Sequence, residues 1–387
     1  MAMLALLLFT LSGPLSLHAA QALADQHSGA LFAAQAQVAA SRAGVEAAGQ
    51  LANPTFSAGI GQDSPTLTAG LDVKLPLFGQ RGAAIDSAEA ASRVTESDAQ
   101  LQRARLHSAI RRAHAALWAA GQQAALASDA ARLSSQVANL TAERLRLGGA
   151  AELEVEQAKQ ALRRAGQDLA DRQAEASAAR EELAALLGID PAGLDAAAPE
   201  SLEVPPVEAL AQKAAAHPEL EGLRRQQSAA TARADEERTA LRPLPSVSLT
   251  AERLGGAAGL GLRAGLAFDV PLLSWNRGRV RQQEALARVA AEQQRAAEQR
   301  LAGQLRAARA RWSAAVSRAG NYARDLVAGA SRVLEMAQAG FRIGRTSSFT
   351  VLQAQGELSS ARSRAIDATL DSQRAIADLE EAVGADL

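Results

Sequence analysis

The 387-residue chain contains no cysteine. No disulfide can staple it, no thiolate can bind a metal or act as a nucleophile, and no N-terminal Cys can carry a lipid anchor. Aromatic residues make up only 3% of it, which disfavours a small, dense enzyme core. Charge of one sign is also lacking. Lys and Arg number 41 against 42 Asp and Glu, leaving a formal net charge of -1 without a long run of either sign. A general nucleic-acid binder is therefore disfavoured. Five His remain as candidate soft ligands.

What the chain has in quantity is alanine, roughly a quarter of all residues, with Arg, Glu, Gln and Leu supplying much of the remainder. That is the composition of long packed helices. The first twenty residues, MAMLALLLFTLSGPLSLHAA, hold an apolar run broken by Gly13 and Pro14 and ending in small residues. The pattern reads as a signal peptide over residues 1–20, with cleavage near Ala19, Ala20 or Ala22, although no Lys or Arg precedes the run. The alternative is a buried N-terminal helix.

The chain repeats itself. At an offset of 196, Arg146, Gly148, Val155, Gln157 and Ala158 fall on Arg342, Gly344, Val351, Gln353 and Ala354, and Leu183 and Gly188 fall on Leu379 and Gly384. At an offset of 195, Leu71, Pro76, Leu77, Glu89 and Ala90 fall on Leu266, Pro271, Leu272, Glu284 and Ala285. Each copy is too long for a solenoid unit and is better read as half of one architecture. The first repeat covers 21–200, with a helix, a β-hairpin at about 54–78 and a long helical hairpin at about 83–188. The second covers 201–387, with a helix, a hairpin at about 245–273 and a helical hairpin at about 279–384.

A helix from 83 to 147 is about 98 Å long at 1.5 Å per residue, beyond any ordinary globular domain. Leu126, Leu133, Leu140 and Leu147 step by seven along it, so a coiled-coil seam is expected. Gly148 and Gly344 supply left-handed caps, after which the chain returns as a second helix.

Between Thr66 and Leu75 the residues alternate strictly, with Leu67, Ala69, Leu71, Val73 and Leu75 on one face. Leu260, Leu262, Ala264, Leu266, Phe268 and Val270 do the same in the second half, and shorter partners hold Phe56, Ala58 and Ile60, and Val247 and Leu249. Four such two-faced strands suit either a soluble hairpin layer or the wall of a membrane barrel. Four strands cannot close a barrel, and open edges in lipid leave backbone groups unsatisfied, so a spanning chain must oligomerise. Three copies would supply twelve strands. Phe78 and Trp275 sit just past the strand ends, where aromatic side chains anchor at an interface.

Several linked segments resemble the outer-membrane efflux protein family, the TolC-type exit ducts of tripartite pumps, over essentially the whole mature chain. They are ANPTFSAG at the first strand, LPLFGQRGAAIDSAEA and VPLLSWNRGRVRQQEA at the strand exits, AAAHPELEGLRRQQSAA opening the second half, and GFRIGRTSSFTVLQAQ at a helical tip. The exit segment with Asn276, Arg277 and Gly278 is most similar to the heavy-metal branch. The resemblance implies a mostly α protein with a membrane β-barrel. It is a homotrimer with a twelve-stranded barrel, four strands per chain, continued by coiled-coil helices as an α-barrel across the periplasm. It implies a passive channel for metal ions or small toxic compounds. Its partners would be a periplasmic adaptor and an inner-membrane transporter, proton-driven or ATP-driven, with the proton-driven kind expected here. The tips at Gly148 and Gly344 would face that pump and shut or open the duct. The chain departs from the family in lacking the Cys that anchors many relatives, and in its short N-terminal stretch before Pro54, so a shortened first helix is expected.

Candidate residues follow. Asp72, Lys74, Arg263 and Asp269 fall on the polar face of the strands, either lining a lumen or lying as solvated charges near strand ends. Arg146 and Arg342, beside the tip glycines, either meet the gate or adaptor or pair with helix C-terminal carbonyls. His107 and His114, seven apart, are read as ordinary imidazoles rather than a metal pair, and His217 before Pro218 as a helix start. Gly259, Gly261 and Gly265 have the wrong spacing for a dinucleotide fingerprint, and no Ser, His and Asp elbow or carboxylate pair is present. Neither catalysis, cofactor nor metal site is expected. The rival reading is a soluble periplasmic coiled-coil adaptor or scaffold. An adaptor would show one helical hairpin flanked by lipoyl-like and barrel domains, whereas this chain shows two equivalent hairpins and two strand pairs.

Overall fold

A computed structural model describes residues 13–61, 66–200, 202–253, 260–269 and 276–387. In chain order the elements are α1 (Leu17–His27), α2 (Gly29–Ala48), β1 (Thr55–Gly61), β2 (Thr66–Lys74), α3 (Gln80–Arg146), α4 (Glu152–Leu187), α5 (Val207–Ala214), α6 (Pro218–Thr239), β3 (Leu244–Arg253), β4 (Leu260–Asp269), α7 (Arg277–Asn321), a π-turn (Tyr322–Leu326), α8 (Val327–Arg342) and α9 (Ser348–Val383). They divide into two compact units, one of 33–102 and 216–300, the other of residues up to 32, 103–215 and 301–387.

The first unit carries an antiparallel sheet in the order β1-β2-β3-β4. Register keeps one parity across all four strands. Phe56 lies opposite Leu71, Leu71 opposite Leu249 and Leu249 opposite Ala264, while in the next row Thr55, Asp72, Ser248 and Gly265 are aligned. Because side chains alternate along each strand, the first row and its equivalents make an apolar face and the second a polar one. The polar face is built of small residues for a reason. A Cβ at Gly70 would stand 2.7 Å from Ser57 Oγ, and one at Gly265 the same distance from Ser248 Oγ, so a larger residue at either position would displace a serine hydroxyl.

The unit's helical segments follow the same lateral order as its strands. Arg42 of α2 pairs with Glu96 of α3 at 2.8 Å, Arg225 of α6 donates to the Arg93 carbonyl at 3.0 Å, and Arg300 of α7 pairs with Glu219 of α6 at 2.6 Å. At the exits into α3 and α7 the backbone turns through left-handed residues, Gly79 at φ +90° and Asn276 at φ +41°, the conformation that glycine and asparagine tolerate. The expected α6 start holds: His217 caps it, Nδ1 accepting from the Glu219 N–H at 3.0 Å, with Pro218 at the first position.

The second unit holds the duplication as two copies of one core. Ala20, Ile110, Leu183 and Leu187 form one buried cluster, and Leu210, Leu305, Leu379 and Val383 the other. A third cluster joins Val137 of α3 to Leu334, Ala337 and Phe341 of α8 and to Val351 and Leu358 of α9. The shortened first helix expected from the sequence is not seen. α1 and α2 divide at Ser28 just as α5 and α6 divide at His217.

Two expectations about the long helices are corrected. The most buried line of α3 runs one residue later than Leu126, Leu133 and Leu140, through Ala127, Ser134 and Thr141, while Leu133 packs at the edge of the third cluster and Leu140 is 46% exposed. Small residues let the neighbouring helix approach closely, and the leucines flank that contact. The second long helix is also not continuous. The offset between the halves grows from 195 to 196 between residues 285 and 342, so the second copy has one extra residue there. It is absorbed in the π-turn Tyr322–Leu326, which widens one turn and leaves the helix on either side in phase.

A two-faced sheet and two helical tips

The sheet's apolar face is uncovered by any other part of the chain described. Phe56 is 72% exposed, Ile60 82%, Leu262 71% and Leu266 72%, and Leu249 and Phe268 are more than half exposed as well. An open face of this size on a folded chain marks a surface that meets something apolar. Its one charged member is Arg253, at the end of β3 opposite Leu67 and Leu260. Among the described residues no helix is long and apolar enough to cross a membrane.

The polar face gathers the charged candidates. Asp72 sits opposite Ser248, and Lys74 Nζ reaches over β3 to within 3.6 Å of Asp269 Oδ2 on β4. Arg263 Nη2 lies 3.5 Å from Glu252 Oε2. Glu252 was not among the sequence candidates. The parity of Ser246, Ser248 and Thr250 continues to it and identifies it in retrospect. Phe78 lies just beyond β2, exposed, with its carbonyl accepting from Arg242 Nη1 at 2.7 Å. Trp275 falls outside the described residues.

At the tips, Gly148 and Gly344 take φ of +80° and +75°, and their N–H groups close the preceding turns onto the Leu145 and Phe341 carbonyls at 2.9 and 3.0 Å. Arg146 is exposed, 3.8 Å from Glu143, and Arg342 is exposed on the last turn of α8. Arg144 makes a carbonyl contact in the turn beyond α3. Its Nη2 donates to the Gly149 carbonyl at 3.1 Å, and its guanidinium lies over the Phe341 ring at 5.1 Å. Arg144 thereby stitches one tip to the other, a contact between distant segments that no local pattern reveals. Repeat-related apolar pairs stand out at both tips: Leu147 and Leu153 are 78% and 67% exposed, Ile343 and Phe349 66% and 61%.

His107 and His114 are not brought together. His107 lies between Asp386, Nδ1 to Oδ2 at 3.0 Å, and Asp25, Nε2 to Oδ1 at 3.1 Å. His114 donates from Nε2 to the Leu15 carbonyl at 2.7 Å. Among the described residues no group of three His, Asp or Glu is placed to hold a metal ion.

No curated protein matches the chain by sequence. Among solved structures, the outer-membrane channel OprN is similar at 22% identity and a TM-score of 0.76, over 95% of this chain and 89% of its own. The outer membrane protein VceC from Vibrio cholerae is 19% identical at a TM-score of 0.76, over 96% of each chain. CusC, whose structures concern transmembrane channel formation, is 20% identical at 0.77, over 95% of this chain and 92% of its own. These likenesses establish the fold. The sequence profile described as "Outer membrane efflux protein" matches residues 21–189 and 209–385, both halves of the duplication. The chain belongs to the outer membrane efflux protein family, and it is an efflux channel of the outer membrane.

Proposed function

We infer that three copies of this chain join strand to strand, β4 of one beside β1 of the next, and close a twelve-stranded barrel. Among the described residues neither edge strand, β1 or β4, has a partner on its outer side. Edges left open in hydrocarbon cost several kcal/mol per orphaned backbone group, and only closure removes them. The observation that carries this reading is the uncovered apolar face backed by a polar one. Lipid suits the first and water the second. Strands of ten residues span about 33 Å along their own axis at 3.3 Å each, enough to cross a tilted barrel wall.

Solutes then pass along the polar face, whose charges Asp72, Lys74, Glu252, Arg263 and Asp269 set ion preference. The duct is passive and takes its driving force from a proton-driven transporter through a periplasmic adaptor. The exposed tip residues Arg146 and Arg342, with the glycine turns at Gly148 and Gly344, are the surface offered to that adaptor. The Asn276-Arg277-Gly278 exit favours metal ions as cargo over other small toxic compounds.

Paired substitutions on the two faces test the assignment. Leu262→Arg places a charge against lipid, at about 2–4 kcal/mol near the midplane, and should strongly reduce the protein recovered in outer membranes. Thr250→Arg, on the other face, should leave insertion intact. Equal recovery of the two variants overturns the two-faced reading.

A further inference from the structure

Arg253 breaks the pattern of the sheet's apolar face. Register aligns it in one row with Ile60, Leu67 and Leu260, which are 82%, 56% and 69% exposed. The other charged residues of the described strands, Asp72, Lys74, Glu252, Arg263 and Asp269, all fall on the polar face. There Lys74 is paired with Asp269, and Arg263 with Glu252. Arg253 is exposed, and among the described residues no carboxylate pairs with it. Its guanidinium carries a full charge on a surface otherwise made of Leu, Ile, Val, Phe and Ala.

The same register fixes its depth. The strand ends that lead into α2, α3, α6 and α7 lie at one end of the sheet, where Pro245 is opposite Phe268, and Arg253 lies at the other end of β3. From Pro245 to Arg253 the strand advances about 26 Å at 3.3 Å per residue, or about 20 Å of membrane depth at a tilt of about 40°. The helices occupy the periplasm, so Arg253 stands at the outward rim of the apolar band. A long cationic side chain is costly at mid-depth, but at the rim it reaches out of hydrocarbon into the headgroups. Directly beneath this row lie Ala58, Ala69 and Ala251, side by side on β1, β2 and β3. Larger residues flank them along each strand, Leu67 and Leu71 on β2 for example, so the alanines leave a shallow depression on the apolar face below the guanidinium.

We propose that Arg253 anchors a lipid site on the outer wall of the channel, holding a phosphate of a phosphorylated glycolipid of the outer leaflet while an acyl chain lies against Ala58, Ala69 and Ala251. A guanidinium offers two parallel N–H groups to phosphate oxygens, a match that an ammonium lacks. The outer leaflet of an outer membrane is built on lipid A, whose sugars carry their phosphates at the rim of the hydrocarbon. Depth and charge together therefore select that headgroup over the phospholipids of the inner leaflet. Each chain carries one such site. The inference rests on the barrel reading, which puts the apolar face against lipid.

Native mass spectrometry tests the site on protein extracted from outer membranes into detergent, stripped of lipid and titrated with bisphosphorylated lipid A. The natural trimer should take up one lipid per chain. Arg253→Gln should bind about tenfold or more weakly, with Arg253→Lys between the two. Arg263→Gln removes the same charge from the polar face and should bind as the natural chain does. Lipid A freed of its phosphates should bind the natural trimer as weakly as the intact lipid binds Arg253→Gln, a comparison that needs no variant to fold. Excess inorganic phosphate should leave the lipid in place. Trimers of Arg253→Gln that bind like the natural ones, or natural trimers indifferent to the lipid's phosphates, overturn the site while leaving the channel intact. Complete displacement by inorganic phosphate reduces it to a free-anion site and overturns the lipid assignment. Failure to recover any trimer from outer membranes overturns the barrel reading beneath it.

Discussion

Arg111 and Glu380 face each other in a buried, two-point ion pair, Nε to Oε2 at 2.7 Å and Nη2 to Oε1 at 2.6 Å, with side chains 8% and 1% exposed. Glu380 also accepts from the Leu387 N–H at 3.1 Å. The pair ties α3 to α9 and has no copy in the other half, where Ala184 occupies the position equivalent to Glu380. Arg111→Met leaves a carboxylate buried without its partner, at about 3–5 kcal/mol. The double replacement Arg111→Met with Glu380→Met removes the orphan and should recover most of that loss. Denaturant unfolding of the detergent-extracted protein reads the difference, and equal destabilisation of single and double variants contradicts it.

His107 makes stability depend on pH. The hydrogen bond to Asp386 and that to Asp25 outweigh burial and raise its pKa. Arg103 and Arg111 on the same helix, Asp25 on α1 and Asp386 in the C-terminal tail are the charged groups around it. The hydrogen bond from Arg103 lowers the Asp25 pKa, and the one from His107 lowers that of Asp386. The raised His contributes stability fully below its unfolded value of about 6.5, lost as pH rises through the folded value. The depressed carboxylates contribute above their unfolded value of about 3.9, lost as pH falls through their folded values. The clamp is therefore complete between about pH 4 and 6.5. His107→Gln should flatten the decline in melting temperature above that window while leaving the acid limb largely in place. An unchanged alkaline limb removes His107 from the account.

The π-turn predicts an asymmetry between the halves. Deleting Ala323 turns the widened turn into an ordinary α-helical one and keeps Leu334, Ala337 and Phe341 on their buried face, so it should be tolerated. Deleting Ser128 from the continuous α3 rotates everything beyond it by about 100° and swings Ser134, Val137 and Thr141 out of the packed seam. Limited proteolysis at the tips should be accelerated only by the second deletion. Equal sensitivity of the two contradicts the insertion reading.

Much of this was legible in the chain itself, and what was missed has a physical reason. Strand parity placed Asp72, Lys74, Arg263 and Asp269 on one face because a period of two survives inspection of a single segment. Glu252 escaped because the strand carrying it was read only as far as Leu249. The change of offset from 195 to 196 was visible, but offsets count residues and do not say whether an insertion becomes a loop or a π-turn. Leucine spacing suggested the seam of α3, whereas close approach chose Ala127, Ser134 and Thr141. Arg111 with Glu380 and Arg144 with Phe341 join residues roughly two hundred or more positions apart, beyond the reach of any local pattern. The N-terminal residues left two readings open for a related reason, since an apolar leader and an apolar helix edge look alike in sequence, and the pairing of Leu15 with Ala196 is a long-range contact.

Charge reversal on the polar face tests ion selection. Asp72→Lys with Asp269→Lys should shift the reversal potential of single channels in planar bilayers toward anion preference, and adding Glu252→Lys should extend the shift. Lys74 then loses its neighbouring carboxylate as well. An unchanged reversal potential places these side chains away from the conduction path.

The tip assignment is tested in cells. Arg146→Glu with Arg342→Glu should abolish efflux while oligomers in the outer membrane persist, because both side chains are exposed and hold no core. Retained export removes them from adaptor contact.

The most direct test of the central claim is the mass of the detergent-extracted protein by light scattering, after fractionation of membranes from cells expressing the full chain. A protein mass of three chains, about 120 kDa before leader removal from the 40.1 kDa of one, recovered in the outer-membrane fraction, is the predicted result. A soluble monomer or dimer in the periplasm would mean that β1 and β4 close no barrel, and it would contradict the account.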